Sequence, residues 1–375
     1  MNNVLEKGAN LPDKPNSFPD PITGAEIHQL TDHGSINHSF FFLNSSFRLG
    51  APKQVGFVTH RSGDPQLCLF DFKTGAATCV SNATGLQPFS PSFSRGGEHI
   101  FYTNKQGEVR QINLDTLEDE VLASLEGASL GECGPSPDGL HLVTACKRDA
   151  MHGLFLIDIR NRRGKIIFER PEKIIHPQFH PGNSDIIEYA GDPLPRLWTI
   201  RRDGTDNQCL YENEKHEFIV HESFLGSSDD LIFSVWPYKL ARMNIHDREM
   251  KTIAELNTWH MASSRDGTRI VSDTNHPDLG LVLIDPETGG HGTLCYPRSS
   301  NGGTQWEQDF AAGPEVWTSI RGEEGKSLSW MEMKTDGVYG PQWTHPHPAF
   351  DEAGERVVYT SDCSGNPQVY VVEVI

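Results

Sequence analysis

The chain has 375 residues, with 32 Lys and Arg against 51 Asp and Glu and a formal net charge of −19. A field of that sign repels nucleic acid and anionic membrane surfaces and excludes both as partners. A site for an acidic ligand must then be built from locally concentrated Arg, His or metal. Hydrophobic residues at 36% and charged residues at 22% describe a folded chain, and no apolar run reaches the roughly 18 residues of a transmembrane helix.

The start, "MNNVLEKGANLPDKPNSFPDP", has neither a basic n-region nor an apolar h-region and is not a secretory signal. Residues 1–21 read as an N-terminal extension, followed by a short β-like run, "TGAEIHQLT" (23–31). From there one pattern recurs: a β run, a Phe-Ser or equivalent turn, and a second β run ending in Tyr, Phe or Thr. A weak first copy is "FFLNSSFRLGAPKQVGFVT" (41–59). Clearer copies are "PFSPSFSRGGEHIFYTN" (88–104), "GECGPSPDGLHLVTAC" (131–146), "IIHPQFHPGNSDIIEYA" (174–190), "VHESFLGSSDDLIFSVW" (220–236), "WHMASSRDGTRIVSDT" (259–274) and "HPHPAFDEAGERVVYTS" (345–361). Gly, Asp and Asn between short alternating runs are hairpin chemistry.

A repeat near 40 residues with about four strands per unit predicts an all-β chain, a seven-bladed β-propeller in one domain over residues 1–375. The last unit ends at "NPQVYVVEVI", one strand short, so residues 23–31 are expected to close the ring. Residues 300–340 lack the turn signature and read as an insertion before the last blade, with an eighth blade as the alternative. Seven cysteines (Cys68, Cys79, Cys133, Cys146, Cys209, Cys295, Cys363) are scattered and form no Cys-x-x-Cys pair. They read as reduced thiols, and the chain as cytoplasmic.

Aligned on the turn, the position three residues before Phe or its equivalent holds Asn44, Ser90 and Glu132 in the first three units, then His176, His221, His260 and His347. A lone histidine there would be read as satisfying a backbone group. Four in one column converge on the channel, and converging imidazoles are a metal-site signature. His345, one strand period before His347, is expected on the same face. Gln342 adds a neutral oxygen. Imidazoles with an amide oxygen and no thiolate suit Mn, Fe, Ni or Zn. His276, in an inter-strand loop, is a rival candidate outside the column.

At "IIHPQFHP", "RLWTIRRDGT", "VHESFL", "WHMASSRDG" and above all "QWTHPHPAF", the sequence resembles the oligogalacturonate lyases, pectin-degrading propeller enzymes. The resemblance covers most of the chain. It implies Mn²⁺ held by His260, Gln342, His345 and His347, with His221 as Brønsted base and Arg196 beside the reacting sugar. His176 is left to hydrogen-bond substrate, and Lys147 and Arg148 are candidates for a neighbouring uronate. There are departures: "YAGDPLP" (189–195) stands where the family has a His-Glu-Gly-Pro-His-like stretch, and 300–340 looks additional.

The reaction so implied is β-elimination in a short 4-linked oligogalacturonide, giving an unsaturated uronide. C5–H is a weak acid. A cation on the C6 carboxylate and a neutral imidazole base are groups that reaction needs. The alternatives are a metal-dependent lyase or isomerase acting on another uronate, and a non-catalytic TolB-like binding propeller.

Overall fold

The computed structural model describes residues 5–51, 53–192, 195–213, 217–275, 277–301 and 341–374. These residues form seven antiparallel sheets of four or five strands, the seven blades of a β-propeller. Consecutive blades are neighbours, as shown by the packing of Phe218–Phe224 on Thr258–Ser263 and of Arg356–Ser361 on Asn37–His38.

The ring closes as the one-strand deficit predicts. Glu26–Gln29 pairs with Gln368–Glu373 in the register Ile27↔Val372, His28↔Val371 and Gln29↔Tyr370. The residues before it also join sheets. Asn16–Pro19 adds a fifth strand to the closing blade, and Asn10–Leu11 pairs with Ala76–Cys79 at the rim of the first. Of the segment 300–340, read as an insertion or an eighth blade, residues 302–340 lie outside the described residues, as does His276.

Each sheet is covered on both faces by its neighbours, so its middle strands are apolar on both sides rather than alternating. Gln66–Asp71 is buried at five of six positions and Asp230–Trp236 at six of seven. The cores lie between blades: Val55, Phe57 and Cys68 of the first pack with Val358, Val369 and Val371 of the last. The hairpin turns are tight where blades meet. Gly97 has φ +75°, and a Cβ there would collide with the Leu49 carbonyl of the preceding blade, so only glycine suits it. No helix among the described residues is long and apolar enough to cross a membrane.

Candidate active site

The innermost strands of the fourth, fifth and sixth blades share one irregularity. Lys173–His180 loses register between Ile175 and Gln178, Phe218–Phe224 between Val220 and Ser223, and Thr258–Ser263 between Thr258 and Met261. His176, His221 and His260 sit in these three bulges. The first two have φ 56°, and His347 in the seventh blade has φ 46°. A left-handed backbone at a residue with a Cβ costs of order 1–3 kcal/mol and persists where surrounding structure imposes it. The bulge re-aims the column residue toward the axis.

The histidines therefore meet. Ring centroids lie 3.9 Å apart for His260–His347, 4.3 Å for His221–His260, 5.5 Å for His260–His345, 6.1 Å for His345–His347 and 6.2 Å for His176–His221. His345 and His347 do not share a strand face as strand alternation predicts. The strand begins only at Ala349, and a 3₁₀ turn over Gln342–Thr344 precedes them. Pro341, Pro346 and Pro348 restrict this segment, and an irregular backbone brings both rings to the cluster. The column residues of the first two blades serve the frame: Asn44 donates to the Cys133 carbonyl and Ser90 to that of Gln87.

Two histidines have assigned nitrogens. His221 Nδ1 lies 2.8 Å from the Trp259 carbonyl, which only an N–H can satisfy, so Nε2 carries the lone pair. Burial, then the neighbouring His260, His176 and Arg196, hold His221 well below the usual imidazole range, so it is neutral. His260 donates its backbone N–H to Asp273 at 2.6 Å, and its Nδ1 lies 2.9 Å from Asp273 Oδ2. Burial raises the Asp273 carboxyl to about 7, so the proton of this pair sits on the Nδ1–Oδ2 line. His260 Nε2 is buried without a partner, as are both ring nitrogens of His347.

Such neutral, orphaned imidazole nitrogens suit a divalent cation, and a carboxylate behind one ligand is the usual means of orienting it. The donor chemistry therefore fits the metal that the resemblance implies. The rings lie side by side, and no group of three or more His, Cys, Asp or Glu among the described residues has the arrangement of a formed metal site.

Arg196 is buried in a two-pronged pair with Glu222: Nε to Oε2 at 2.9 Å and Nη2 to Oε1 at 3.2 Å. His176 Nδ1 lies 3.3 Å from Glu222 Oε1 and 3.5 Å from Arg196 Nη2. Arg196 thus already holds a carboxylate, that of the protein, and the fork leaves Nη1 unused. Burial works to raise the Glu222 carboxyl, but Arg196 and His176 outweigh it and keep it ionised. Glu188 is raised well above the carboxylate range by burial and by Glu222, and accepts from Gln178 Nε2 at 2.9 Å. Lys147 and Arg148 sit at the end of strand His141–Arg148. Arg148 Nη2 lies 3.8 Å from Glu169, and neither residue is hydrogen-bonded to the histidines.

Several site residues escaped the sequence reading. Glu222 follows His221 directly and shares its bulge. Asp273 gives no local signal. Phe42, from the run "SFFFLN", packs against four of the histidines with centroid separations of 5.3 Å to His221, 5.4 Å to His260, 5.9 Å to His176 and 6.3 Å to His347. His38 and His60, with centroids 5.5 Å apart, adjoin the cluster through Phe89 and Trp343; burial holds them neutral, near 3 and 4.

No family model matches the chain. An oligogalacturonate lyase of Dickeya dadantii is 22% identical, and an oligogalacturonide lyase of Pectobacterium atrosepticum 21%, each over 99% of this chain and 98% of the relative. A solved structure of an oligogalacturonate lyase in complex with manganese covers 99% of both chains at TM-score 0.82 and 18% identity. The chain therefore resembles the oligogalacturonate lyases from end to end, and shares their fold.

Proposed function

We propose that this protein is a metal-dependent lyase that cleaves short 4-linked oligogalacturonides by β-elimination. The observation that carries the reading is the convergence of His221, His260, His345 and His347 at one point of the channel, with His221 neutral and its Nε2 unprotonated. End-to-end similarity to proteins named for this reaction supports it.

In this reading His260, Gln342, His345 and His347 hold a divalent cation, manganese by analogy with the similar structure. The cation supplies Lewis-acid neutralisation of the substrate's C6 carboxylate. Asp273 orients His260 toward it. His221 Nε2 takes the C5 proton, while its Nδ1–H remains on Trp259. The C5–H electron pair becomes the C4–C5 double bond, the C4–O bond breaks, and the leaving oxygen takes a proton from solvent. Glu222 holds Arg196 so that Nη1 faces the substrate as a single charge-assisted donor. His176 is braced by the same carboxylate and binds a substrate hydroxyl. Lys147 and Arg148 are left to a more distant uronate. A cytoplasmic setting agrees with seven cysteines that form no disulfide.

The test is direct. Purified protein loaded with Mn²⁺ is incubated with oligogalacturonate, and the absorbance of the conjugated 4,5-unsaturated uronide is followed. Turnover that EDTA abolishes and Mn²⁺ restores is expected. Fully loaded protein that cleaves neither this nor any other oligouronate would sink the reading.

A further inference from the structure

The turns joining the first and second strands of each blade surround the other mouth of the channel. Phe42 separates this mouth from the histidines: the ring that packs against them also lines a cavity of about 480 Å³ that none of them lines. Phe47, Phe93, Phe179, Phe224 and Phe350 form an apolar wall, and Arg48, Arg95 and Arg265 stand among its lining residues.

Arg95 in "FSRGG" and Arg265 in "SSRDG" are the same repeat position on the second and sixth blades. These blades lie on opposite sides of the ring, so the two guanidinium groups face across the mouth. The Arg95 side chain makes one bond, a weak one from Nε to the Ser136 carbonyl at 3.4 Å, and no carboxylate among the described residues pairs with it. Arg48 donates only to neutral oxygens, the Gly97 carbonyl at 2.6 Å and Gln54 Oε1 at 2.8 Å. The acids at the mouth are committed or set into the wall. Asp351 bonds Arg356 at 3.1 Å, Glu352 pairs with Arg265, and Glu132 is buried in the channel wall. Arg95 and Arg265 are exposed at this mouth and Arg48 is half-buried beside them, so their guanidinium groups are open to the cavity. Two of the three have only neutral partners, in a chain of net charge −19, which leaves them able to receive an oxyanion.

We propose that this second mouth binds a small oxyanion ligand, carboxylate- or phosphate-bearing and of about sugar size, between Arg95 and Arg265 with Arg48 beside it. The cavity volume lies in the range of small-ligand sites. A guanidinium presents paired donors to either oxyanion, and the phenylalanine wall offers apolar surface to the rest of the molecule. The ligand takes the free face of Arg95 and shares Arg265 with Glu352. The proposal stands apart from the lyase reading, since no residue of the histidine cluster takes part.

Titration calorimetry of the full chain, stripped of metal with EDTA, tests it with D-galacturonate and, separately, inorganic phosphate. One of the two is expected to bind at millimolar concentration, and whichever binds more tightly identifies the source of the oxyanion. Arg95→Ala should weaken that binding at least about tenfold, the effect of losing one charged, hydrogen-bonded contact. Arg265→Gln should weaken it too, and a His345→Ala/His347→Ala variant should leave it unchanged. Undiminished binding in both arginine variants would overturn the proposal. So would binding lost only in the histidine variant, or no binding of either anion to the wild-type chain.

Discussion

Arg196 and Glu222 are joined in the channel wall by two hydrogen bonds, 2.9 and 3.2 Å long, with Glu222 fully buried. One neighbour of this carboxylate is a catalytic candidate, His221, and another of its partners is His176. Glu222→Ala leaves a buried guanidinium without its counter-ion and should destabilise the fold by about 3–5 kcal/mol. Glu222→Gln keeps the shape and loses the charge. Because the folded pKa of Glu222 lies below its ordinary 4.5, its stabilisation is complete above that value and is lost as pH falls through the folded pKa. The Gln variant should therefore unfold in acid with a shallower pH dependence than wild type, measured by urea denaturation across that range.

Glu188 has the opposite sign. Burial and Glu222 raise it well above 4.5, so its contribution is complete below the unfolded value and is lost as pH rises. Glu188→Gln mimics the protonated acid and retains an oxygen for Gln178. It should raise the melting temperature at neutral pH and leave it unchanged in acid. A lower melting temperature at neutral pH would show that Glu188 is needed as an anion.

His221→Ala should keep its metal and its fold and lose turnover by roughly 10²–10⁴-fold, the usual share of a general base. Metal content and activity are measured on the same preparation. Loss of metal would make His221 a ligand and place the base elsewhere.

His345→Ala/His347→Ala should lose most bound metal, and His260→Ala metal and activity together, because a site stripped of imidazoles holds its ion weakly. Asp273→Asn should lower metal affinity by about 10–100-fold, as removal of an orienting carboxylate does elsewhere. Mn²⁺ titration under competition with a chelator reads all three.

Deleting residues 1–31 removes the strand Glu26–Gln29 and opens the ring. The exposed edge of Gln368–Glu373 should then drive aggregation, seen as a shift to high mass in size-exclusion chromatography with light scattering. A monomeric, equally stable truncation would show that the closing strand is dispensable.

The blade count, the closing strand and the histidine column were legible in the sequence because repeats carry local information. Turn residues recur at fixed offsets, the last unit lacks a strand that the first residues supply, and His176, His221, His260 and His347 align without reference to space. How those histidines meet was not legible. Alternation put His345 and His347 on one strand face, whereas a 3₁₀ turn and the three prolines place them. The bulges that turn His176, His221 and His260 inward come from pairing with a second strand and have no local code. Glu222 and Asp273 became visible only with their partners, because a buried carboxylate is defined by what it touches: Arg196 lies 26 residues from Glu222, and Asp273 13 residues from His260. Phe42 and Arg95 owe their places to ring closure, which brings blades distant in sequence around one axis. Local chemistry thus determined what the chain is made of and how often it repeats. Burial and long-range pairing decided which groups share a charge, and which are left without one.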